Sequence, residues 1–135
     1  MKQLLLLALP IALLVSCGEN KTAGYHKAAD AEEAGREFVR ASLDGDYEKT
    51  KFFLYKDSSN NNTILLDKWR DDYNRLPEED KISYKEASII TLRLQPENDS
   101  TVYYVYTNSF KQKDTTTLRI VRVRDEWLVD FKDIH

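Results

Sequence analysis

The chain holds one thiol, Cys17, two imidazoles, His26 and His135, and 23 carboxylates, and these bound the chemistry open to it. Cys17 has no second cysteine to pair with, so no internal disulfide forms and its chemical use is that of a thiolate nucleophile. The histidines stand near opposite ends of the chain, out of ligand spacing with each other or with the cysteine. Neither a metal centre nor a Ser–His–Asp arrangement is expected from them. The glycines, Gly18, Gly24, Gly35 and Gly45, are too scattered to form a phosphate-cradling loop. Carboxylate catalysis needs an acid buried until its pKa rises far enough to shuttle a proton. Here Asp71 and Asp72 flank an amphipathic helix, Glu86 starts a strand, and Asp99 and Asp114 fall in turns. Asp130 alternates with Trp127, Val129 and Phe131 and is expected on the solvated face. No catalytic residue, metal ligand or cofactor is therefore expected.

The surroundings of the thiol are more informative. Met1-Lys2-Gln3 carries one positive charge, and Leu4 to Val15 is an apolar run broken only by Pro10. A membrane-spanning helix needs roughly 20 apolar residues, so this run has the form of a secretory signal and not of a mature span. Directly after it, Leu14-Val15-Ser16-Cys17 resembles the lipobox of bacterial lipoproteins. The resemblance implies that residues 1–16 are a signal peptide cut before Cys17, whose sulfur carries a diacylglycerol and whose new amine is acylated. One acyl chain holds a protein to a bilayer marginally, whereas two or three hold it firmly, at about 0.8 kcal/mol per buried CH₂. Residues 17–27 then read as a lipidated tether, polar and glycine-containing. By the same resemblance, Gly18 in place of an aspartate favours the outer over the inner membrane.

Residues 28–135 have the length of one domain and, with eight Tyr, five Phe and two Trp in the chain, can build a core. A balance of 20 basic against 23 acidic residues leaves no basic face for nucleic acid. From Ala28 to Leu43, Ala31, Ala34, Phe38, Val39 and Ala41 recur at helical spacing, with Asp30 and Glu33 as a near capping box and Gly45 as the stop. A short helix is expected over Tyr47 to Tyr55, then a polar loop from Lys56 to Asn62. A third helix begins near Thr63, carries Leu65, Trp69 and Tyr73 on one face, and ends at Pro77, followed by a solvated connection. The period then changes to two over Ala87–Leu94, Thr101–Phe110, Thr115–Val123 and Trp127–Phe131. Connections this short join antiparallel neighbours, so the strands form a meander. The switch of phase between Leu118-Ile120 and Val121-Val123 calls for a bulge near Ile120 or for burial of both faces.

The fold class is thus α+β: three N-terminal helices packed on a curved antiparallel meander, preceded by a signal peptide. That element order, the helix ending in Leu43-Asp44-Gly45-Asp46-Tyr47, and the closing strand Trp127-Leu128-Val129-Asp130-Phe131 resemble the nuclear-transport-factor-2-like, or cystatin-like, superfamily, which includes ketosteroid isomerases. More narrowly, the chain is similar to small lipoproteins of unknown function that carry such a domain. The resemblance implies a cone whose concave sheet face is covered by helices and can leave a pocket. Ile90, Leu92, Val129 and Phe131 are expected inside with the aromatic residues Phe38, Trp69, Tyr73, Tyr104, Tyr106 and Trp127, which either line a pocket for a small hydrophobic ligand or fill the core. No catalytic residue of the superfamily's enzymes can be matched onto this chain, so ligand or partner binding is preferred to an isomerase or hydro-lyase in the cone, or to a purely structural role. Tyr103, Val105 and Thr107, with Ile89 and Thr91, are expected on the outer sheet face as a surface for homodimerisation.

Overall fold

The computed structural model describes residues 24–131. The signal segment, Cys17, the tether to residue 23, and His135 lie outside the described residues. Four helices, α1 (Ala31–Asp44), α2 (Tyr47–Phe52), α3 (Asn61–Asn74) and α4 (Glu78–Glu86), precede four strands, β1 (Ile89–Asn98), β2 (Thr101–Asn108), β3 (Thr116–Val123) and β4 (Glu126–Asp130). The strands form one antiparallel sheet in the order β1-β2-β3-β4, the expected meander. Among the described residues no helix is long and apolar enough to cross a membrane.

Local signals account for α1. The Asp30 side chain accepts from the Glu33 amide at 2.8 Å, the Glu33 carboxylate reaches back to the Ala29 amide, and Gly45 ends the helix at φ 71°. Its buried stripe packs on the inner face of the sheet, where Tyr104, Leu118, Ile120 and Val129 are all but inaccessible. Gly35 permits that approach: a Cβ there would stand 2.8 Å from the Tyr104 ring and 2.9 Å from Ile120. Tyr25, read above as tether, packs its ring on Phe52 at 5.4 Å.

The start of α3 departs from expectation. Its N-cap is Asn60, in the left-handed region at φ 56°, with no capping bond of its own. The first turn is held instead by Asp57, whose carboxylate accepts from the amides of Asn61 and Asn62 at 3.1 and 3.0 Å. The segment expected to be a polar loop thus contributes two buried side chains, Asp57 and Asn62, while the residues between them are exposed. The chain before it runs along the free edge of β4, where Tyr55 donates to the Val129 carbonyl and Val129 to the Phe53 carbonyl, each at 2.8 Å.

The connection after Pro77 is helical, which corrects the expected helix count. Glu78, Glu79 and Asp80 occupy the first turn of α4, where carboxylates suit the positive end of the helix dipole, yet no α4 residue is buried. Packing comes from the other end. The Arg40 guanidinium donates to the carbonyls of Tyr84, Lys85 and Ala87 at 3.1, 3.0 and 2.7 Å while pairing with Asp44 at 2.9 Å. One cation thus caps α4 and pins it to α1.

The phase switch in β3 has a plain cause. Its registers to β2 and β4 are regular, with Ile120 inside and Val121 at 8% exposure outside, so both faces are buried there and no bulge is needed. The irregularities fall in β1, between Thr91 and Arg93 and between Pro96 and Asn98. With Pro96, Arg93 and Glu97 on it, this edge is poorly suited to adding another strand. β1 also runs in the opposite phase to the one expected. Thr91 stands opposite Tyr106 on the inner face and Ile90 opposite Thr107 on the outer one. Ile90 and Leu92 are accordingly exposed, at 37% and 52%, and not inside.

Asp130 is a further correction. It does lie on the face opposite Val129, paired with Arg119 across the strands, but it is 1% exposed. Arg119 Nη1 donates to it at 2.7 Å and Asn62 Nδ2 at 2.9 Å, the latter brought there by the 55–62 segment.

Candidate functional site

A cavity of about 350 Å³ opens where α1, α3 and α4 meet β2 and β3. Val39, Ser42 and Leu43 line it from α1, Trp69, Asp72 and Tyr73 from α3, and Leu76 and Tyr84 from the turn after α3 and from α4. Tyr106, Asn108 and Thr116 come from the sheet, and Lys111 and Asp114 from the β2–β3 connection.

Each ring has a reason to be there. The left-handed Gly45 turns the chain so that a Cβ would fall onto the Tyr73 ring, and Tyr73 Oη approaches the Leu43 carbonyl at 3.5 Å. Trp69, one helical turn earlier, keeps its ring 5.5 Å from that of Tyr73. Arg40 fixes the end of α4 and with it Tyr84, which meets Phe110 edge-on at 4.9 Å. Tyr106 projects from β2 beside Tyr104, the two rings stacked at 5.6 Å. The connecting loop is tied down as well. Asn108 Oδ1 accepts from the amides of Phe110 and Lys111, and the Thr107 hydroxyl lies within 3.0 Å of the carbonyls of Lys111 and Asp114.

Burial pushes the Tyr106 phenol up to about 12, with the Thr116 hydroxyl opposing the shift. Burial also raises Tyr73, and the nearby carboxylates of Asp44 and Glu78 add to it. Both phenols are neutral at physiological pH and present a ring face and a hydroxyl. The ammonium of Lys111 sits 4.7 Å from the centre of the Phe110 ring.

Of the residues singled out from sequence, Trp69, Tyr73 and Tyr106 meet in this cavity. Phe38 and Tyr104, at 3% and 0% exposure, belong to the core, with Tyr104 Oη bonded to Thr91 Oγ1 at 2.9 Å. Trp127 packs partly buried against that core with the Arg122 guanidinium 5.8 Å from its ring centre. Tyr84 and Asn108 were not foreseen. The signal for Tyr84 was present, since Pro77 followed by three acids is a helix start that would carry Tyr84 on it.

A larger cleft, about 720 Å³, lies between α2, the 54–56 strip and the β3–β4 hairpin. Phe52, Leu54, Tyr55, Val123 and Leu128 line it together with Glu48, Lys51, Lys56, Arg124 and Glu126. Ordering those long charged chains around a ligand would cost entropy that a wall of rings does not. The smaller cavity is therefore the better candidate. A third hollow of about 170 Å³ contains His26 with Glu33, Glu37 and Lys49. Among the described residues no group of three or more His, Cys, Asp or Glu side chains is arranged to hold a metal ion.

No family model matches the sequence, and no curated protein matches it either. Among solved structures, the chain is similar to an NTF-2-like protein of unknown function from Shewanella oneidensis MR-1. The two share 16% identity and a TM-score of 0.52, over 72% of this chain and 88% of that one. At that identity the likeness concerns the fold alone: four helices and a four-stranded antiparallel meander in an α+β arrangement consistent with the NTF-2-like fold.

Proposed function

We propose that this chain is a lipid-anchored protein of the bacterial cell envelope whose domain binds a small hydrophobic or ring-bearing ligand without transforming it. The observation that carries the binding reading is the convergence of Trp69, Tyr73, Tyr84 and Tyr106, from α3, α4 and β2, on one cavity of about 350 Å³. That volume is at the lower end of small-molecule sites, and tyrosines and a tryptophan supply apolar faces with polar tips. The alternative, an isomerase or hydro-lyase, needs an acid on the cavity floor. The acids bordering this cavity, Asp72 and Asp114, are exposed. The buried acids, Asp57 and Asp130, line none of the three cavities and serve the α3 amides, Arg119 and Asn62. Saturable thermal stabilisation by small ring compounds such as indole is expected, and Trp69→Leu should abolish it. No saturable shift from a full panel of ring compounds and small organic cations would overturn the reading.

Anchoring is supported by Leu14-Val15-Ser16-Cys17 following the apolar run. Cys17→Ala should move the protein from the membrane to the soluble fraction of its native cell. The outer sheet face is partly covered, since Val105 and Thr107 are buried, and we propose self-association through Tyr103 on that face with the exposed Ile90 in place of Ile89 and Thr91. Sedimentation should then show a dimer that Tyr103→Glu dissociates.

A further inference from the structure

We infer that the cavity's ligand is an organic cation, a quaternary or protonated aliphatic amine, held against the rings of Trp69, Tyr73, Tyr84 and Tyr106 with Asp72 and Asp114 at the rim. This rests on the reading of that cavity as a ligand site. The face of an aromatic ring is the negative part of its quadrupole and attracts a cation, most strongly at tryptophan and most of all where water is excluded. Four such rings line a single cavity here.

Two of the three charges that line the cavity are negative. Asp72, Asp114 and Lys111 are the charged residues that line the cavity, and the Lys111 ammonium is placed over the Phe110 ring, which is not part of the lining. The ion pair of Asp72 with Arg75, at 3.8 Å between exposed side chains, is screened by water and leaves the carboxylate available. The carboxylates of Asp44 and Glu78 add to the rise of the Tyr73 phenol, although each is paired, with Arg40 at 2.9 Å and with Lys81 at 3.3 Å. The Tyr73 ring already attracts a cation of the chain itself, the Lys81 ammonium 5.9 Å from its centre, from a residue outside the cavity lining. The excess of carboxylates over ammonium in the lining, added to the ring faces, favours a cation over a neutral ligand or an anion.

Three probes of matched shape separate the possibilities: choline, the neutral 3,3-dimethylbutan-1-ol, and the anionic 3,3-dimethylbutanoate. Each is titrated calorimetrically into the detergent-solubilised mature protein, with indole as a separate probe of the cavity. Choline should bind saturably, about tenfold or more tighter than the neutral alcohol, and the butanoate should bind weakest of all. The double variant Asp72→Asn, Asp114→Asn changes two exposed side chains and leaves the fold unchanged. It should weaken choline several-fold and reduce the salt dependence of binding. Trp69→Leu should weaken choline at least as much. Equal binding of choline and the alcohol, or tighter binding of the butanoate, overturns the assignment while leaving a ligand cavity in place. Choline binding untouched by both variants puts the site elsewhere and overturns it too. If choline fails and indole binds, the cation assignment falls alone; if both fail, the cavity reading falls with it.

Discussion

Replacing Asp130 with alanine tests whether the outward side of β4 is packed or solvated. The carboxylate receives a guanidinium N–H from Arg119 at 2.7 Å and an amide N–H from Asn62 at 2.9 Å, in a residue 1% exposed. Hydrogen bonds to a charged group contribute about 1.5–3 kcal/mol each, and removing one partner of a buried ion pair costs about 3–5 kcal/mol. The Arg119 side chain is 28% exposed and regains part of its hydration, whereas Asn62 is fully buried and its N–H loses an acceptor where water does not reach. Asp130→Ala should therefore cost about 3 kcal/mol, a large share of the roughly 5–15 kcal/mol that holds a domain together. Asp130→Asn keeps an oxygen for Asn62 but removes the charge facing Arg119, and should cost about half as much. Urea denaturation followed by far-ultraviolet circular dichroism gives both values. A double-mutant cycle with Arg119→Met should return a coupling of about 1–3 kcal/mol. A cost for Asp130→Ala within about 0.5 kcal/mol, the usual range of a surface substitution, would show the carboxylate solvated and refute the packing described here.

Gly35→Ala drives a methyl to 2.8 Å from Tyr104 and 2.9 Å from Ile120, both fully buried, so α1 must lift from the sheet at a cost of about 1–3 kcal/mol. Denaturant midpoint and the near-ultraviolet dichroism of the Tyr104–Tyr106 pair report it. Arg40→Met removes three carbonyl contacts from the end of α4, which buries no residue of its own. Hydrogen exchange across Glu78–Glu86 should accelerate at least tenfold while that of β2 and β3 changes little. The Tyr106 phenol is raised from 10.0 to about 12 chiefly by burial, and Tyr47 likewise by burial and its hydrogen bond to Asp67. The unfolded chain ionises first, so this contribution to stability is complete below pH 10 and is lost as pH rises from about 10 to about 12. Denaturant titrations across that range should show the decline, and Tyr106→Phe should make it shallower.

What sequence made legible was whatever depends on neighbours a few residues apart. Asp30, Glu33 and Gly45 bound α1 because capping is a contact over three or four residues, and the change of period from helical to two marks the meander because it follows backbone geometry. Acids after Pro77 announced α4 in the same local way, but its faces carry no buried stripe, so hydrophobic periodicity passed over it. The consecutive Ile89 and Ile90 could not be phased alone, since the shift at Thr91–Arg93 and the register to β2 decide which of them turns inward.

The site divides along the same line. Trp69 and Tyr73 share a helix face by spacing, yet their meeting with Tyr84 and Tyr106 depends on Arg40 reaching the carbonyls of residues 84–87, more than forty positions away. Alternation correctly put Asp130 on the outer face of β4, but whether that face is wet depends on the 55–62 segment folding over it with Asn62. The element types, their order, and the motif around Cys17 follow from the linear chain, because short-range geometry and residue chemistry set them. Which side chains lose water, and which rings enclose a cavity, follow only from the tertiary structure, because burial is decided by whatever distant segment lies on top.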